Sequence, residues 1–163
     1  MADAKQTNVG IAEMAISDDP EMTLAAAHLG SCLGIAVFDP HKRVGGMIHC
    51  LLPLSKSDPA KAEARPQMYV DTGVALLLDK ILSGGSRKQD LQIFVAGGAE
   101  INDTAHVFEI GKKNVTVLRK ILWKNNLLIK AQDVGGSNAR TISLQVGSGE
   151  VWLRCQGAQV RME

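Results

Sequence analysis

Two residues of this sequence, Cys32 and His49, could together perform nucleophilic catalysis. Cys32 follows Gly30 and Ser31 and stands directly before an apolar, β-like run at residues 33–38. The thiolate form of a cysteine attacks well, and an imidazole can accept the thiol proton and return it to a leaving group. Gly30 allows close backbone approach, and backbone N–H groups near Ser31 and Cys32 could stabilise a thiolate or an oxyanion. The pair therefore predicts a nucleophile and its proton acceptor.

The segment between the two residues predicts a β-hairpin that would bring them together. Residues 39–42 read Asp-Pro-His-Lys, which is a strong turn signal between two β-like runs. If the turn is centred on this tetrapeptide, Cys32 lies directly opposite His49. Opposed residues share one face of the sheet, with Cβ atoms about 4.5–5.5 Å apart. A five-residue turn would instead place Leu33 opposite His49 and break the alignment.

Both residues also have common structural roles, so the pair alone leaves packing and catalysis open. A lone cysteine is often a small buried hydrophobic residue, and a histidine in a strand is often part of the core or the surface. A metal site would need His28 and Cys50 as further ligands. Because successive side chains of a strand alternate between faces, Cys50 should point away from His49. We therefore expect no metal and no organic cofactor.

Composition and charge limit the class of protein. The chain has 163 residues, of which 45% are hydrophobic, and this length predicts one domain over residues 1–163. A net charge of +1 and few aromatic residues argue against nucleic-acid binding. No apolar run is long enough for a membrane span, and the start lacks the apolar core of a signal peptide. Three cysteines argue against a disulfide framework, so we expect a cytoplasmic protein. We also expect loose ends at residues 1–7 and 156–163.

Hydrophobic periodicity predicts many strands and two helices. Residues 68–82 and 110–126 each carry an apolar stripe at helical spacing, whereas residues 22–28 are ambiguous between helix and buried strand. Two helices can cover only one side of the strands, which predicts an α+β fold with strands on strands and helices on one outer face. Besides the hairpin, the expected strands lie at residues 9–16, 91–96, 127–131, 139–146 and 150–154.

Three polar or glycine-rich segments could border the Cys32–His49 pair. Residues 53–66 form a polar connection that could be a flap beside the site or a solvated linker. Gly97 and Gly98 follow a short strand and could bring the backbone close to a substrate or form a tight turn. Residues 133–138, which include Asp133, Gly135 and Gly136, could line the site or form a plain loop.

Several motifs, in order along the chain from about residue 9 to residue 154, resemble the CheD family, the chemoreceptor glutamine deamidases of bacterial and archaeal chemotaxis. The motifs that carry the resemblance are LGSC at residues 29–32, FDP at 38–40, GGMIHCLLP at 45–53, YVDTG at 69–73, AGGA at 96–99, IGKKN at 110–114, and DVGG at 133–136 followed by Arg140.

The resemblance implies a protein-glutamine deamidase in which Cys32 attacks the side-chain amide and His49 is its partner. It implies methyl-accepting chemoreceptors as substrates, and a CheC-type phosphatase as a possible further partner. It also implies a layered β-sandwich with helices, similar to the toxin deamidase fold, in which residues 22–28 are extended. Further candidate substrate-binding or oxyanion residues are Gly30, Ser31, Gly97, Gly98, Asp133, Gly135 and Gly136.

The chain departs from the family pattern at Ala26. The family usually has a threonine six positions before the cysteine, which is taken as a third active-site residue. Alanine has no hydroxyl group and cannot orient an imidazole. This departure keeps a second hypothesis open, in which the protein is a catalytically weak or inactive adaptor that binds receptors or a CheC-type phosphatase.

Overall fold

Two five-stranded sheets form the framework in the computed structural model, which describes residues 5–101 and 108–163. The first sheet has the strand order β1-β3-β8-β9-β10 and the second has the order β2-β5-β4-β6-β7. Within the described ranges the strands are β1 (Lys5–Asn8), β2 (Glu13–Ser17), β3 (Met22–Leu29), β4 (Leu33–Asp39), β5 (Val44–Cys50), β6 (Gln92–Gly97), β7 (Ile129–Val134), β8 (Arg140–Gln145), β9 (Val151–Cys155) and β10 (Ala158–Met162).

Both predicted long helices are confirmed. They are α2 (Val70–Ser83) and α3 (Ile110–Lys124), and a short helix, α1 (Pro59–Ala64), precedes them. The buried residues of α2 include Val74, Leu77 and Ile81, which repeat at helical spacing. No helix in the described ranges is long and apolar enough to span a membrane.

The core has two layers. One apolar cluster lies between the sheets and combines residues such as Leu24 and Ile142 of the first sheet with Ala36 and Met47 of the second. The other cluster lies between the outer face of the second sheet and helices α2 and α3. This arrangement confirms the predicted α+β fold, in which strands pack on strands and helices cover one outer face.

The predicted hairpin exists, but its predicted register is wrong by two residues. The turn contains four residues, so Asp39 pairs with Val44, and Gly34, not Cys32, lies opposite His49. The Asp39 carboxylate accepts hydrogen bonds from the backbone N–H groups of His41 and Lys42, at 2.9 and 3.2 Å. Arg43 has a φ of 54° and its N–H donates to the Asp39 carbonyl at 2.8 Å. These contacts widen the turn, because they hold four residues outside the ladder.

The predicted first strand, at residues 9–16, is wrong. Only residues 13–16 of this range are in a strand, β2, whereas β1 ends at Asn8 and belongs to the other sheet. The chain changes sheets between them, where Ala12 adopts a φ of 61°. The extended conformation that the resemblance implies for residues 22–28 is confirmed, because they lie in β3.

Most of the described residues in the two predicted loose ends lie in strands. Residues 5–7 belong to β1, which pairs with β3, while residues 1–4 lie outside the described ranges. In the C-terminal segment, β10 pairs with β9 in antiparallel register. The connection at residues 53–66, predicted as a flap or a solvated linker, contains a short helix. This helix is α1, whose first turn is capped by the Asp58 carboxylate at 3.2 Å from the Lys61 N–H.

Candidate active site

Cys32 and His49 lie on the same side of the second sheet, the side that faces the first sheet. His49 is opposed to Gly34 in the ladder, and Cys32 is two residues before Gly34, so both side chains share the parity of that face. Cys32 belongs to the cluster between the sheets. The two-residue error in register therefore preserved the shared face, but Cys32 precedes the first residue of the ladder, Leu33, and does not lie directly opposite His49.

The His49 ring is held by the backbone of Val9. Its Nδ1 atom lies 3.0 Å from the Val9 carbonyl oxygen, and the Val9 N–H in turn donates to the Ala25 carbonyl at 2.7 Å. Because a carbonyl only accepts, Nδ1 must carry the proton, and a neutral ring then leaves Nε2 as the acceptor. Nε2 is buried and has no hydrogen-bond partner among the described residues. The ring is therefore oriented with its basic nitrogen available.

This contact bears on the missing hydroxyl at Ala26. Ala26 lies in β3, is fully buried, and belongs to the same cluster as Cys32. With alanine at this position, the core lacks the hydroxyl group that the family pattern would place there. The ring is nevertheless fixed, because Val9 supplies a hydrogen-bond acceptor from the main chain.

Burial sets the charge state of both groups. It raises the pKa of the Cys32 thiol, and the backbone N–H of Cys32 itself acts in the opposite direction. Burial also lowers the pKa of His49, against the smaller influences of the Val9 carbonyl and Glu13. Burial thus favours the neutral thiol and the neutral imidazole, a pair that suits proton transfer during attack. The predicted stabilisation of a thiolate or an oxyanion by backbone N–H groups stays a prediction.

Three consecutive carbonyl groups before the nucleophile's strand are fixed by hydrogen bonds. The Gly30 carbonyl accepts from the Ala99 N–H and the Cys32 carbonyl accepts from the Gly98 N–H, both at 2.9 Å. The Ser31 carbonyl accepts from the Asn114 side chain, also at 2.9 Å. The N–H groups of Ser31 and Cys32 donate to no acceptor of another described residue, and the Cys32 N–H faces its own sulfur. This segment therefore offers two candidate oxyanion donors on a rigid backbone.

The structure places Gly97 and Gly98 beside the nucleophile. They have φ values of 110° and 63°, which favour glycine, and a Cβ atom at Gly97 would collide with the Cys32 carbonyl oxygen. The Gly98 N–H is already bonded to Cys32. These glycines therefore allow a close backbone approach that holds Cys32, and their predicted role in binding substrate stays a prediction.

Asp133, Gly135 and Gly136 lie in the segment that packs against Gly97 and its neighbours. The Gly135 N–H donates to the Gly97 carbonyl at 3.0 Å, and the Gly136 carbonyl accepts from Glu100 at 2.9 Å. The Asp133 carboxylate pairs with Arg140 at 2.9 Å, and Arg140 also lies 3.4 Å from the Gly97 carbonyl. Their connection to Cys32 runs through Gly97, so direct contact with substrate likewise stays a prediction.

A surface cleft of about 380 Å³ reaches His49 from the side of Val9 and Gly10. His28, which has a φ of 57° in an irregular part of β3, also lines this cleft. Cys50 lies on the opposite face of the second sheet, in the cluster under the helices, as alternation predicted. In the described ranges no group of three or more His, Cys, Asp or Glu side chains is arranged to hold a metal ion.

Sequence reasoning missed two groups at this site. The Val9 carbonyl leaves no signal in the sequence. Every residue has a backbone carbonyl, so the residue types do not reveal which one accepts from His49. Asn114 does leave a signal. It lies four residues before Leu118, on the apolar stripe of α3, and it is fully buried. A polar residue on a buried stripe needs a hydrogen-bonding explanation.

Comparisons with known proteins agree on one family. The family model for CheD, described as CheD chemotactic sensory transduction, matches residues 51–155. The chain is 43% identical over 155 residues to a probable chemoreceptor glutamine deamidase CheD of Solibacter usitatus, covering 95% of this chain and 92% of the relative. It is 39% identical over 153 residues to a protein of the same description, CheD 1, of Syntrophus aciditrophicus, covering 94% of this chain and 96% of the relative. The relatives therefore span the segment with Cys32 and His49 that the family model leaves out.

Proposed function

Because this chain belongs to the CheD family, we propose that it deamidates glutamine side chains of chemoreceptors, with Cys32 as nucleophile and His49 as proton acceptor and donor. The relatives that cover nearly its whole length are named as probable chemoreceptor glutamine deamidases. The observation that supports these roles is the shared sheet face of Cys32 and His49, with Nε2 of a fixed imidazole left available.

In the first step the Cys32 sulfur attacks the side-chain amide carbon of glutamine. The thiol proton passes to Nε2 of His49. The Val9 carbonyl, which accepts from Nδ1–H, stabilises the resulting imidazolium. The carbonyl oxygen of the amide becomes an oxyanion. The N–H groups of Ser31 and Cys32 are the donors that would stabilise it.

In the second step the tetrahedral intermediate collapses and the carbon–nitrogen bond breaks. His49 returns its proton to the departing nitrogen, so ammonia leaves and a thioester to Cys32 remains. Water then attacks the thioester with His49 again as base. The thiol is restored, and the product side chain is glutamate, which carries a negative charge where the glutamine was neutral.

The substrate and its setting follow from the same proposal. Chemoreceptor segments containing glutamine are the partners, and we place the reaction in the cytoplasm, where a free thiol persists. A CheC-type phosphatase is a second proposed partner, supported by the family resemblance. The new charge on the receptor would give the reaction a consequence for signalling.

Ala26 favours a second candidate function, in which the protein binds receptors without turning them over. The Val9 contact argues against it, because the imidazole is fixed without a threonine hydroxyl. The two candidates differ in one product, the glutamate formed from glutamine.

The experiment mixes the protein with a purified receptor cytoplasmic segment that contains glutamine, and follows both ammonia release and the mass of the segment. Deamidation predicts ammonia together with a mass gain that maps to glutamine residues. The matched control is the Cys32→Ala variant, which should bind the segment and leave its mass unchanged. Binding by the native protein without ammonia or mass change would overturn the proposal in favour of the adaptor.

A further inference from the structure

Asn114 is a fully buried polar side chain that contacts both segments of the site. Its Nδ2 group donates to the Ser31 carbonyl at 2.9 Å and to the Leu51 carbonyl at 3.2 Å. Ser31 directly precedes the nucleophile, and Leu51 follows His49 by two residues. Asn114 itself lies on α3, so its side chain connects a helix on the far side of the sheet to the site.

We propose that Asn114 is a positioning residue, which orients the Cys32 amide towards the oxyanion and fixes the nucleophile's segment against the strand that carries His49. This inference rests on the proposed function and deepens it, because it assigns the support of the oxyanion donors to a residue that touches neither substrate nor the reacting atoms.

The planarity of the peptide group links Asn114 to the oxyanion donor. The Ser31 carbonyl and the Cys32 N–H belong to one rigid, trans peptide unit, so they point in opposite directions. When Asn114 holds the carbonyl on the helix side, the N–H must point away from the helix. The Ala99 N–H holds the Gly30 carbonyl in the same way and so orients the N–H of Ser31.

The orientation of the Asn114 amide is fixed by its surroundings. Two carbonyl oxygens lie within hydrogen-bond distance of one end, so that end must be the NH₂ group. The other end, Oδ1, is buried and has no partner among the described residues. A buried acceptor without a partner destabilises the folded protein, and a leucine at this position would avoid that penalty. The presence of an asparagine therefore points to a role for the two hydrogen bonds that it donates.

The helix is held close enough to act on the loop because Gly111 packs against Gly98. A Cβ atom at Gly111 would collide with the backbone of Gly98 and Ala99. These two residues supply the N–H groups that bond Cys32 and Gly30. The start of α3 therefore supports the nucleophile's segment by backbone contact on one side and by Asn114 on the other.

The test compares Asn114→Leu with Leu118→Ala in the full-length protein. Leu118 lies one turn further along the same buried stripe and has an apolar side chain that cannot donate to either carbonyl, so its variant controls for loss of stability alone. With a glutamine-containing receptor segment, Asn114→Leu should lower kcat by about 10- to 100-fold, less than the loss of a whole oxyanion donor, while KM changes by less than about two-fold. At temperatures where both variants are folded, Leu118→Ala should keep the native kcat.

A second readout does not depend on deamidation. Because the Cys32 N–H favours the thiolate, disorienting it should shift the pH profile of Cys32 alkylation by iodoacetamide to higher pH in Asn114→Leu but not in Leu118→Ala.

If Asn114→Leu fails to fold, Asn114→Ala replaces it, because water can then reach the two carbonyls. A native kcat and a native alkylation profile in the folded variant would overturn the inference. So would a raised KM with unchanged kcat, since that pattern belongs to a substrate-binding residue.

The outcomes separate this inference from the proposed function. If the native protein releases no ammonia, the proposed function fails and the alkylation profiles still test the role of Asn114. If the native protein deamidates and the Asn114 variants match it in both readouts, only the inference fails.

Discussion

The two faces of strands β4 and β5 have the same backbone and different chemistry. The face under the helices carries residues such as Leu33, Ile48 and Cys50, all fully buried in an apolar cluster. The face towards the first sheet carries His49 and continues to Cys32, which keeps 7% of its surface exposed. Leu33, the residue after Cys32, pairs with Cys50. The two cysteines are thus close in the ladder and differ in access and in polar neighbours.

This difference shows that position, more than residue type, decides which thiol can react. Complete burial raises the pKa of Cys50, with smaller contributions in the same direction from Cys32 and the Asp71 carboxylate, and its immediate surroundings are an apolar cluster. Cys32 has a fixed imidazole on its face, and the N–H groups of Ser31 and Cys32 bond no acceptor of another described residue. Reactivity needs a base and a donor for the oxyanion, and the face of Cys32 brings an imidazole and these N–H groups together.

The largest expected effect comes from replacing Cys32 and Cys50 by alanine, one at a time. Cys32→Ala should lower the deamidation rate at least about 10³-fold, because the covalent step loses its nucleophile. Cys50→Ala should lower the melting temperature through lost packing and keep kcat near the native value. Ammonia release and thermal unfolding of both variants measure this. Loss of turnover in Cys50→Ala at a temperature where it is folded would erase the distinction between the faces.

His49→Gln sharpens the role of the base. The substitution removes an imidazole that can accept a proton and keeps a polar side chain of similar length. Acid–base help of this kind contributes roughly 10²–10⁴-fold, so kcat should fall by that factor. Steady-state kinetics on a receptor segment measure the change, with circular dichroism as the control for folding. A kcat within about two-fold of the native value would contradict the assignment of His49.

Particular elements show what the sequence could and could not reveal. The helices at residues 68–82 and 110–126 and the shared face of Cys32 and His49 were predictable, because periodicity and alternation depend only on local spacing. The register was not, because it depends on how the Asp39 carboxylate and the left-handed Arg43 build the turn. The strand β10 was missed because four of its five residues are exposed and give no apolar alternation.

At the site itself, the residues with reactive side chains could be predicted from the sequence, whereas the groups that orient them could not. Cys32 and His49 carry chemistry in their side chains, so their identity and spacing could be recognised. The Val9 carbonyl that orients His49 is a backbone group brought in from a residue 40 positions away. Asn114 was visible only as a polar residue on a buried stripe, and its two acceptors lie 83 and 63 positions away in the chain.

Ile48→Ala tests the helix-side face without touching the site. Ile48 is fully buried and lies next to His49 on the opposite face. Truncation of a buried isoleucine costs about 2–5 kcal/mol of unfolding free energy. We expect that loss in chemical denaturation, together with a native kcat at low temperature. An unchanged free energy of unfolding would contradict the described packing of α2 on β5.

The smallest expected effect is a dependence of stability on pH. Burial lowers the pKa of His49, so below about pH 6.5 the unfolded chain binds a proton that the folded protein resists, and stability falls as pH drops through that range. Burial raises the pKa of Cys32 and Cys50, so stability also falls as pH rises above about 8.5. Denaturant midpoints across this range measure both limbs. The acid limb should be weaker in His49→Gln, and an identical acid limb in that variant would show that other groups cause it.

The central claim is that the Cys32 sulfur forms a covalent bond to the glutamine side chain. The most direct measurement is the intact mass of the protein after rapid mixing with a glutamine-containing receptor segment and quenching in acid, which preserves thioesters, followed by proteolytic mapping of any adduct. We predict an adduct equal to the segment minus ammonia, located at Cys32 and absent from Cys32→Ala. An adduct on another residue, or deamidation at the native rate by Cys32→Ala, would contradict the account.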